Sequence, residues 1–463
     1  MSAKDISMDT IVALAKQRGF IYQSSEIYGG LGAVYDYGPL GILLKNNIQE
    51  AWWKSMIQNR DDVVGLDSAI LMHQKVWEAS GHVASFSDPL VDCKSCKRRH
   101  RADHLLEAKD VPADDKMTLD EINSLLKEHK VVCPDCEGEL TPARDFNLML
   151  ETHIGPVKDD DAKIYLRPET AQGIYVNFKN VQQSSRKQIP FGIAQVGKAF
   201  RNEITTKQFV FRTREFSQME MQFFVNPKDA DAWYEDWKKW RMAWWEEYGI
   251  SKDRLRFFEH IQLAHYAKGA YDIEYHFPWG WKEAEGLHNR GDFDLAQHEE
   301  YSGKDLKFTD SSNGEKYIPY IIETSMGLDR NVLTFLIEAY DEIEGGRSTT
   351  TESIKEKEVV MRFDKRIAPI KVAVLPLSKK EPLAEKAKGI ATELRKHWMV
   401  QYDETGSIGK RYRRQDEIGT PYCVTVDFDS LEDNKVTVRD RDTMEQTRLS
   451  VDELMPFLLD SLA

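Results

Sequence analysis

Residues 214–225 read REFSQMEMQFFV, and this stretch decides the fold. Side chains two apart share one face of a strand. Phe216, Gln218 and Glu220 therefore fall on one face, and Met219, Met221 and Phe223 on the other. AFRNE at 199–203 gives Arg201 and Glu203 the same spacing, and YIPYIIETS at 317–325 gives it to Glu323 and Ser325. Three strands, each greasy on one side and ionisable on the other, predict an antiparallel sheet. For any one strand the ionisable side reads as a solvated face. Across all three it mixes Arg, Glu, Gln and Ser with an aromatic, unlike the Lys, Thr and Glu of a washed surface. The loop ITTKQFVFRTR at 204–214 adds Lys207, Arg212 and Arg214, and Arg330 follows the third strand. Carboxylates ringed by arginines can hold a polyphosphate, a cationic amine and a divalent cation. Guanidinium forks bind phosphate oxygens bidentately, and paired carboxylates bind ammonium or Mg²⁺.

Outward from these strands, Ile6 to Arg18 predicts a short amphipathic helix ended by Gly19. GGLGAVYDYGPLG at 29–41 must turn or pack closely, with Pro39 opening a helix to about Arg60. Strand-like residues follow from Val63 to Leu71. Ser87 to Arg144 reads as an insertion, with a polar helix near Leu119 to Lys130. Asn226-Pro227 opens a Trp-rich helix to Tyr248, and Gly327 to Ala339 reads as an apolar helix. Asp341 to Lys357, DEIEGGRSTTTESIKEK, is the linker candidate. Beyond it a strand at Ile370 to Leu377, a helix at Pro382 to His397, strands near Trp398 to Asp403 and Tyr422 to Asp429, and a helix from Val451 alternate as in an α/β domain.

The chain has 463 residues, which predicts two or three domains. Its hydrophobic fraction of 41% and charged fraction of 30% suit a soluble globular protein. No stretch approaches the roughly 18–20 apolar residues of a membrane span. Met1 to Thr10 is too polar for a signal peptide, so a cytoplasmic location is expected. A net charge of −14 argues against a simple DNA-binding role; a nucleic acid would need local basic patches. KRYRR at 410–414 is either such a patch or a solvated helix face. Cys93, Cys96, Cys133 and Cys136 have the spacing of a four-thiolate zinc knuckle, a closed set that implies a structural ion. His100 and His104 could compete as ligands but read as surface residues on a basic helix, and Cys423 as a core residue.

FRNE at 200–203, the loop after it and REFSQME at 214–220 resemble motif 2 of the class II aminoacyl-tRNA synthetases, and ETSMGLDR at 323–330 resembles motif 3. RPETAQG at 167–173 and EGLHNRGDFDL at 285–295 are similar to signatures of the glycyl type, a dimeric single-chain enzyme. The resemblance covers nearly the whole chain. It implies an α+β fold: a class II synthetase-like antiparallel sheet with flanking helices over 1–365, an inserted zinc-binding segment at 87–145, and a C-terminal α/β anticodon-binding domain over 366–463. It implies activation of glycine by ATP with Mg²⁺, release of pyrophosphate, and transfer of glycine to the 3′ end of tRNA(Gly), with no DNA or membrane partner.

Site residues follow from the same resemblance. Arg201, Glu323 and Arg330 would be catalytic. Arg201 would contact the α-phosphate and the glycine carboxylate, and Glu323 would help hold Mg²⁺. Phe216 and Arg330 would sandwich adenine. The remaining ATP contacts would be Asn202, Glu203, Phe211, Arg212, Thr213, Arg214, Glu215, Glu283, Ala284, Gly327, Leu328 and Asp329. Glycine would meet Arg101, Glu169, Phe216, Gln218, Glu220, Glu323, Ser325 and Gly327, with Glu169, Glu220 and Ser325 gripping its ammonium.

One departure concerns the dimer. Motif 1 of the class carries a proline at the dimer interface, where LDSAILMHQKVWEASGH at 66–82 has His73 and Gln74. Three rivals make different predictions. A synthetase for threonine, serine, proline or histidine should lack the set Glu169, Glu220 and Ser325. A catalytically dead relative should lose Arg201 and Arg330. A zinc-ribbon nucleic-acid binder explains the cysteines but not the polar strands.

Overall fold

The computed structural model describes residues 6–113, 117–158, 162–204, 208–260, 268–345, 347 and 357–462. Its main sheet has seven strands: β1 (Val63–Gly65), β2 (Phe191–Phe200), β3 (Glu215–Val225), β4 (Leu255–Glu259), β5 (Gly269–Phe277), β6 (Gly280–Gly291) and β7 (Tyr320–Gly327). The order is β4-β5-β6-β7-β3-β2-β1. All neighbours are antiparallel except the edge strand β1, which runs parallel to β2.

The alternation in REFSQMEMQFFV fixes the two faces. Met219, Met221 and Phe223 are fully buried against α1 (Met8–Arg18), α2 (Pro39–Trp53), α4 (Ala230–Glu247) and α6 (Leu328–Ala339). Each such side chain contributes roughly 1.5–3 kcal/mol when buried. On the opposite face, Phe224, Phe191 and Ile321 pack beneath α3 (Ala171–Val176) and α5 (Phe293–Ser302). Phe216, Gln218 and Glu220 lie at the end of that face left uncovered by these helices, which is where a cavity opens.

Local signals place several elements. Ser7 caps α1 and Gly19 ends it in the left-handed region. Pro39 opens α2, which passes into a π-turn at Lys54–Gln58. The expected strand at AFRNE stops at Phe200, so Arg201 and Glu203 lie just beyond it in irregular backbone. The linker expected over 341–357 begins instead as a strand: Tyr340–Ile343 pairs with Glu358–Met361, while 346 and 348–356 lie outside the described residues.

The C-terminal region forms a mixed five-stranded sheet, β8 (Val372–Pro376), β9 (Val400–Tyr402), β10 (Tyr422–Val426), β11 (Lys435–Asp440) and β12 (Gln446–Ser450), in the order β9-β8-β10-β11-β12. Its longer helices are α7 (Leu383–Leu394), α8 (Ile408–Ile418) and α9 (Val451–Ser461). Cys423 is buried there beside Leu375, as expected of a core residue. The KRYRR run is not an open basic face. Arg411 is buried and donates to the carbonyls of Pro376 and Asp403, while Arg414 pairs with Asp403 and Arg413 with Glu417. Arg347 joins this region to the rest, bonding Glu358 and Asp416.

Candidate active site

The uncovered end of the sheet face bounds a cavity of about 270 Å³, room for a substrate rather than a few waters. Its lining is charged at almost every turn. β3 supplies Phe216, Gln218 and Glu220, β7 supplies Glu323, Ser325 and Gly327, and the 201–213 segment supplies Arg201, Glu203, Phe211, Arg212 and Thr213. Glu169, Glu283, Asp329 and Arg330 complete the expected residues that it gathers. The register explains the convergence: Glu220 lies opposite Ser325, and Gln222 opposite Glu323.

Three carboxylates meet at the deep end. The Gln222 amide bridges two of them, donating to Glu220 at 3.1 Å and to Glu323 at 2.8 Å. His288 and Arg290, which sequence reasoning missed, sit on β6 two apart. His288 Nδ1 lies 2.6 Å from Glu323, and Arg290 donates to Glu323 at 3.1 Å and to Asp294 at 2.8 and 3.0 Å. Gln172 ties Asp294 to Glu169, itself 3.4 Å from His82. Thr170 donates its hydroxyl to Glu220.

The charges differ among the three. Burial opposes ionisation of Glu323, but Arg290 and His288 outweigh it and hold its carboxyl at about 2. For Glu169, burial is likewise overcome by His82 and Arg290, so it stays well below the usual range. Among the described residues Glu220 has no cation at hydrogen-bond distance; burial and then the charges of Glu323 and Glu169 push its carboxyl well up. Glu220 is thus the carboxyl of the three for which an incoming ammonium group would serve as counter-ion.

The outer part of the cavity carries the arginines. Arg201 Nε donates to the Pro168 carbonyl at 3.0 Å, leaving its terminal nitrogens for a ligand, and its guanidinium lies 5.3 Å from the Phe216 ring. Arg330 stands 4.3 Å over the Phe211 ring and pairs with Glu283 at 3.0 Å. One Glu203 oxygen is buried without a full hydrogen bond and faces Arg212 Nε at 3.5 Å, so Glu203 and Arg212 form an ion pair on the cavity wall.

Other expected residues stand elsewhere. Arg101 is outside the cavity, clamped between Asp88 and Asp103. Arg214 is turned away by the carbonyls of Gly32 and Glu203, and Glu215 pairs with Lys198. Ala284 and Leu328 are core residues, and Asn202 is tied through its backbone to Leu148. Asp329 borders the cavity, but its carboxylate is taken by Tyr37, Lys45 and the Ser217 amide. Lys207 lies outside the described residues. Glu323 suits magnesium poorly: three donors, one of them a guanidinium, already occupy its carboxylate.

The four expected cysteines do come together. Cys93 and Cys136 Sγ are 3.5 Å apart, Cys96 and Cys133 Sγ 3.7 Å, and all four lie within 4.8 Å of one another. A tetrahedral site with bonds of about 2.3 Å has edges of about 3.8 Å, so the set fits a metal ion. His100 is on a strand, not a surface helix, with Nε2 3.5 Å from Cys133 Sγ.

Comparison with known proteins agrees with this geometry. Residues 153–340 match the family model of the tRNA synthetase class II core domain (G, H, P, S and T), and 371–461 match that of the anticodon binding domain. The chain is 59% identical to a glycine–tRNA ligase of Treponema denticola, over 98% of this chain and 97% of that one. It is 52% identical to a glycine–tRNA ligase of Thermobifida fusca, over the full length of both. Among solved structures, Giardia lamblia prolyl-tRNA synthetase in complex with prolyl-adenylate superimposes with a TM-score of 0.64 at 15% identity, covering 97% of this chain and 75% of that one, a likeness of fold.

Proposed function

The chain belongs to the glycine–tRNA ligase family of class II synthetases, and from that premise we propose how its cavity divides the work of joining glycine to tRNA with ATP. The observation that carries the assignment is the convergence of Glu169, Glu220 and Glu323 on one cavity, next to Arg201. The glycine ammonium enters among the three carboxylates, with Ser325 beside it. Its carboxylate then faces Arg201.

Activation needs no protein nucleophile. The glycine carboxylate oxygen attacks the α-phosphorus of ATP, forming a C–O–P bond as pyrophosphate leaves. Arg201 holds both reactants in line and stabilises the charge that builds on the phosphoryl oxygens. Phe216 and Arg330 border the adenine site, Glu203 accepts a hydrogen bond from the nucleotide, and Arg212 reaches the terminal phosphates. Magnesium, which the family implies, would supply charge neutralisation on the polyphosphate when bound; Glu323 is left to the ammonium. The terminal tRNA hydroxyl then attacks the glycyl carbonyl, releasing AMP. Specificity rests on the demand for an ammonium and on a clash of any larger side chain with the cavity wall, where Gly286 packs so closely on His288 that a Cβ on Gly286 would meet the ring at 2.9 Å.

Cys93, Cys96, Cys133 and Cys136 would hold a structural Zn²⁺ and so tie together the two turns that carry the left-handed residues Lys97 and Glu137. The C-terminal sheet region binds the anticodon arm. The enzyme works as a cytoplasmic homodimer; among the described residues no helix is long and apolar enough to cross a membrane. Glycine KM in Glu169→Gln and Glu220→Gln tests the pocket. A rise of tenfold or more with ATP KM unchanged is expected; unchanged glycine KM in both variants overturns the assignment.

A further inference from the structure

The second half of the reaction requires an unpaired RNA end to reach the cavity, and nothing described so far grips it. A short hairpin, Ile21–Gln23 paired with Tyr35–Tyr37, stands beside the cavity mouth. Its base is fixed there. Tyr37 donates to Asp329 at 2.6 Å, Tyr35 packs on Phe209 with ring centroids 5.0 Å apart, and Arg214 clamps the carbonyls of Gly32 and Ala33. Phe211, Arg212 and Thr213, the neighbours of these contacts in sequence, line the cavity itself.

The tip of the hairpin is the opposite of its base. Ile27 is 88% and Tyr28 87% exposed, with Leu31 at 55%. These large apolar side chains are held out on a 3₁₀ turn, Glu26–Tyr28, closed by Gly29 and Gly30 with positive φ. Such a display costs solubility and contributes nothing to the core. Arg214 at its root is bonded, among the described residues, to carbonyl oxygens rather than to a carboxylate, so its charge is not neutralised. An exposed aromatic on a hairpin tip whose root is bound to an unneutralised guanidinium offers both elements that hold an unpaired strand, a stacking surface for a base and a charge for a phosphate.

We propose that the 26–31 tip is a docking surface for the unpaired 3′ end of the tRNA, with Tyr28 stacking on a base and Arg214 meeting the backbone phosphate. This rests on the tRNA-charging reading and adds to it the residues that deliver the acceptor end. No atom of the tip lines the amino-acid or nucleotide pocket, so activation and transfer are separable.

The test uses the full chain carrying Tyr28→Ala and the double change Ile27→Ala/Tyr28→Ala, which alter exposed side chains only. Glycine-dependent pyrophosphate exchange without tRNA should match the unsubstituted chain. Charging of intact tRNA should fall in kcat/KM by roughly fivefold or more, the loss of one stacked base, and Tyr28→Trp should restore it. A tRNA lacking its unpaired 3′ nucleotides should bind both forms equally. Charging within twofold of the unsubstituted chain, an equal binding defect on the shortened tRNA, or a change in subunit association explaining the loss would each overturn the proposal. Absence of exchange in the unsubstituted chain would instead sink the reading on which it rests.

Discussion

Replacing Arg290 by Met removes the guanidinium that ties Glu323 to Asp294 in the buried carboxylate network. Three hydrogen bonds go, at 2.8 and 3.0 Å to Asp294 and 3.1 Å to Glu323. Breaking a buried ion pair from one side costs about 3–5 kcal/mol. The lower end applies, because Glu323 keeps His288 and Gln222, and Asp294 keeps Gln172. About 3 kcal/mol is a large share of the 5–15 kcal/mol typical of a domain, so the catalytic region should unfold at a markedly lower denaturant concentration. The functional consequence has a sign. Arg290 holds the Glu323 carboxyl at about 2, well under its ordinary value. A carboxylate so depressed contributes stability that is present above its unfolded value and lost as pH falls through the folded one. Without Arg290 that carboxyl rises, and more of it is protonated at neutral pH. Glycine KM, read by pyrophosphate exchange, should then increase tenfold or more near pH 6.5 and recover as pH is raised to 8.5, with ATP KM within twofold throughout. An unchanged glycine KM at pH 6.5, or an increase that ignores pH and falls equally on ATP, would refute this account of the network.

Arg201→Ala should lower adenylate formation by a factor of about 10³ while circular dichroism stays as in the unsubstituted chain; near-normal exchange would remove Arg201 from the chemistry. Protein purified without chelator should carry about one zinc per chain, and Cys133→Ala should lose it together with the melting temperature of the insertion; metal analysis showing none would exclude the zinc site. Arg347→Ala should loosen the C-terminal sheet region, since Glu358 and the buried Asp416 each lose a cation. Faster proteolysis between the catalytic and C-terminal sheets is the expected result, and an unchanged cleavage rate the contrary one.

What could be read in the sequence was what depends on near neighbours. A two-residue alternation put Glu220, Glu323 and Ser325 on one face, and C-x-x-C spacing put four sulfurs within reach of one ion. His288 obeys the same alternation as Gly286 and was legible by that rule, whereas Arg290 sits at a break in the register between Asn289 and Gly291, and EGLHNRG carries glycines that disguise a strand. The rest depended on partners far along the chain. Nothing near Arg101 in sequence announces Asp88 on the neighbouring strand, and nothing near Asp329 announces Tyr37 and Lys45. Likewise Arg411 looks like part of a basic run until the carbonyls of Pro376 and Asp403 take it inside. Tyr340–Ile343 reads as linker because its pairing partner, Glu358–Met361, lies beyond it.

The central claim is that a three-carboxylate pocket selects glycine for attack on ATP. Pyrophosphate exchange into ATP, run without tRNA and with each amino acid in turn, tests it most directly. Exchange with glycine and not with alanine, serine, threonine, proline or histidine is the predicted result. Exchange with a larger amino acid at a comparable rate would leave the ATP site standing and contradict the pocket.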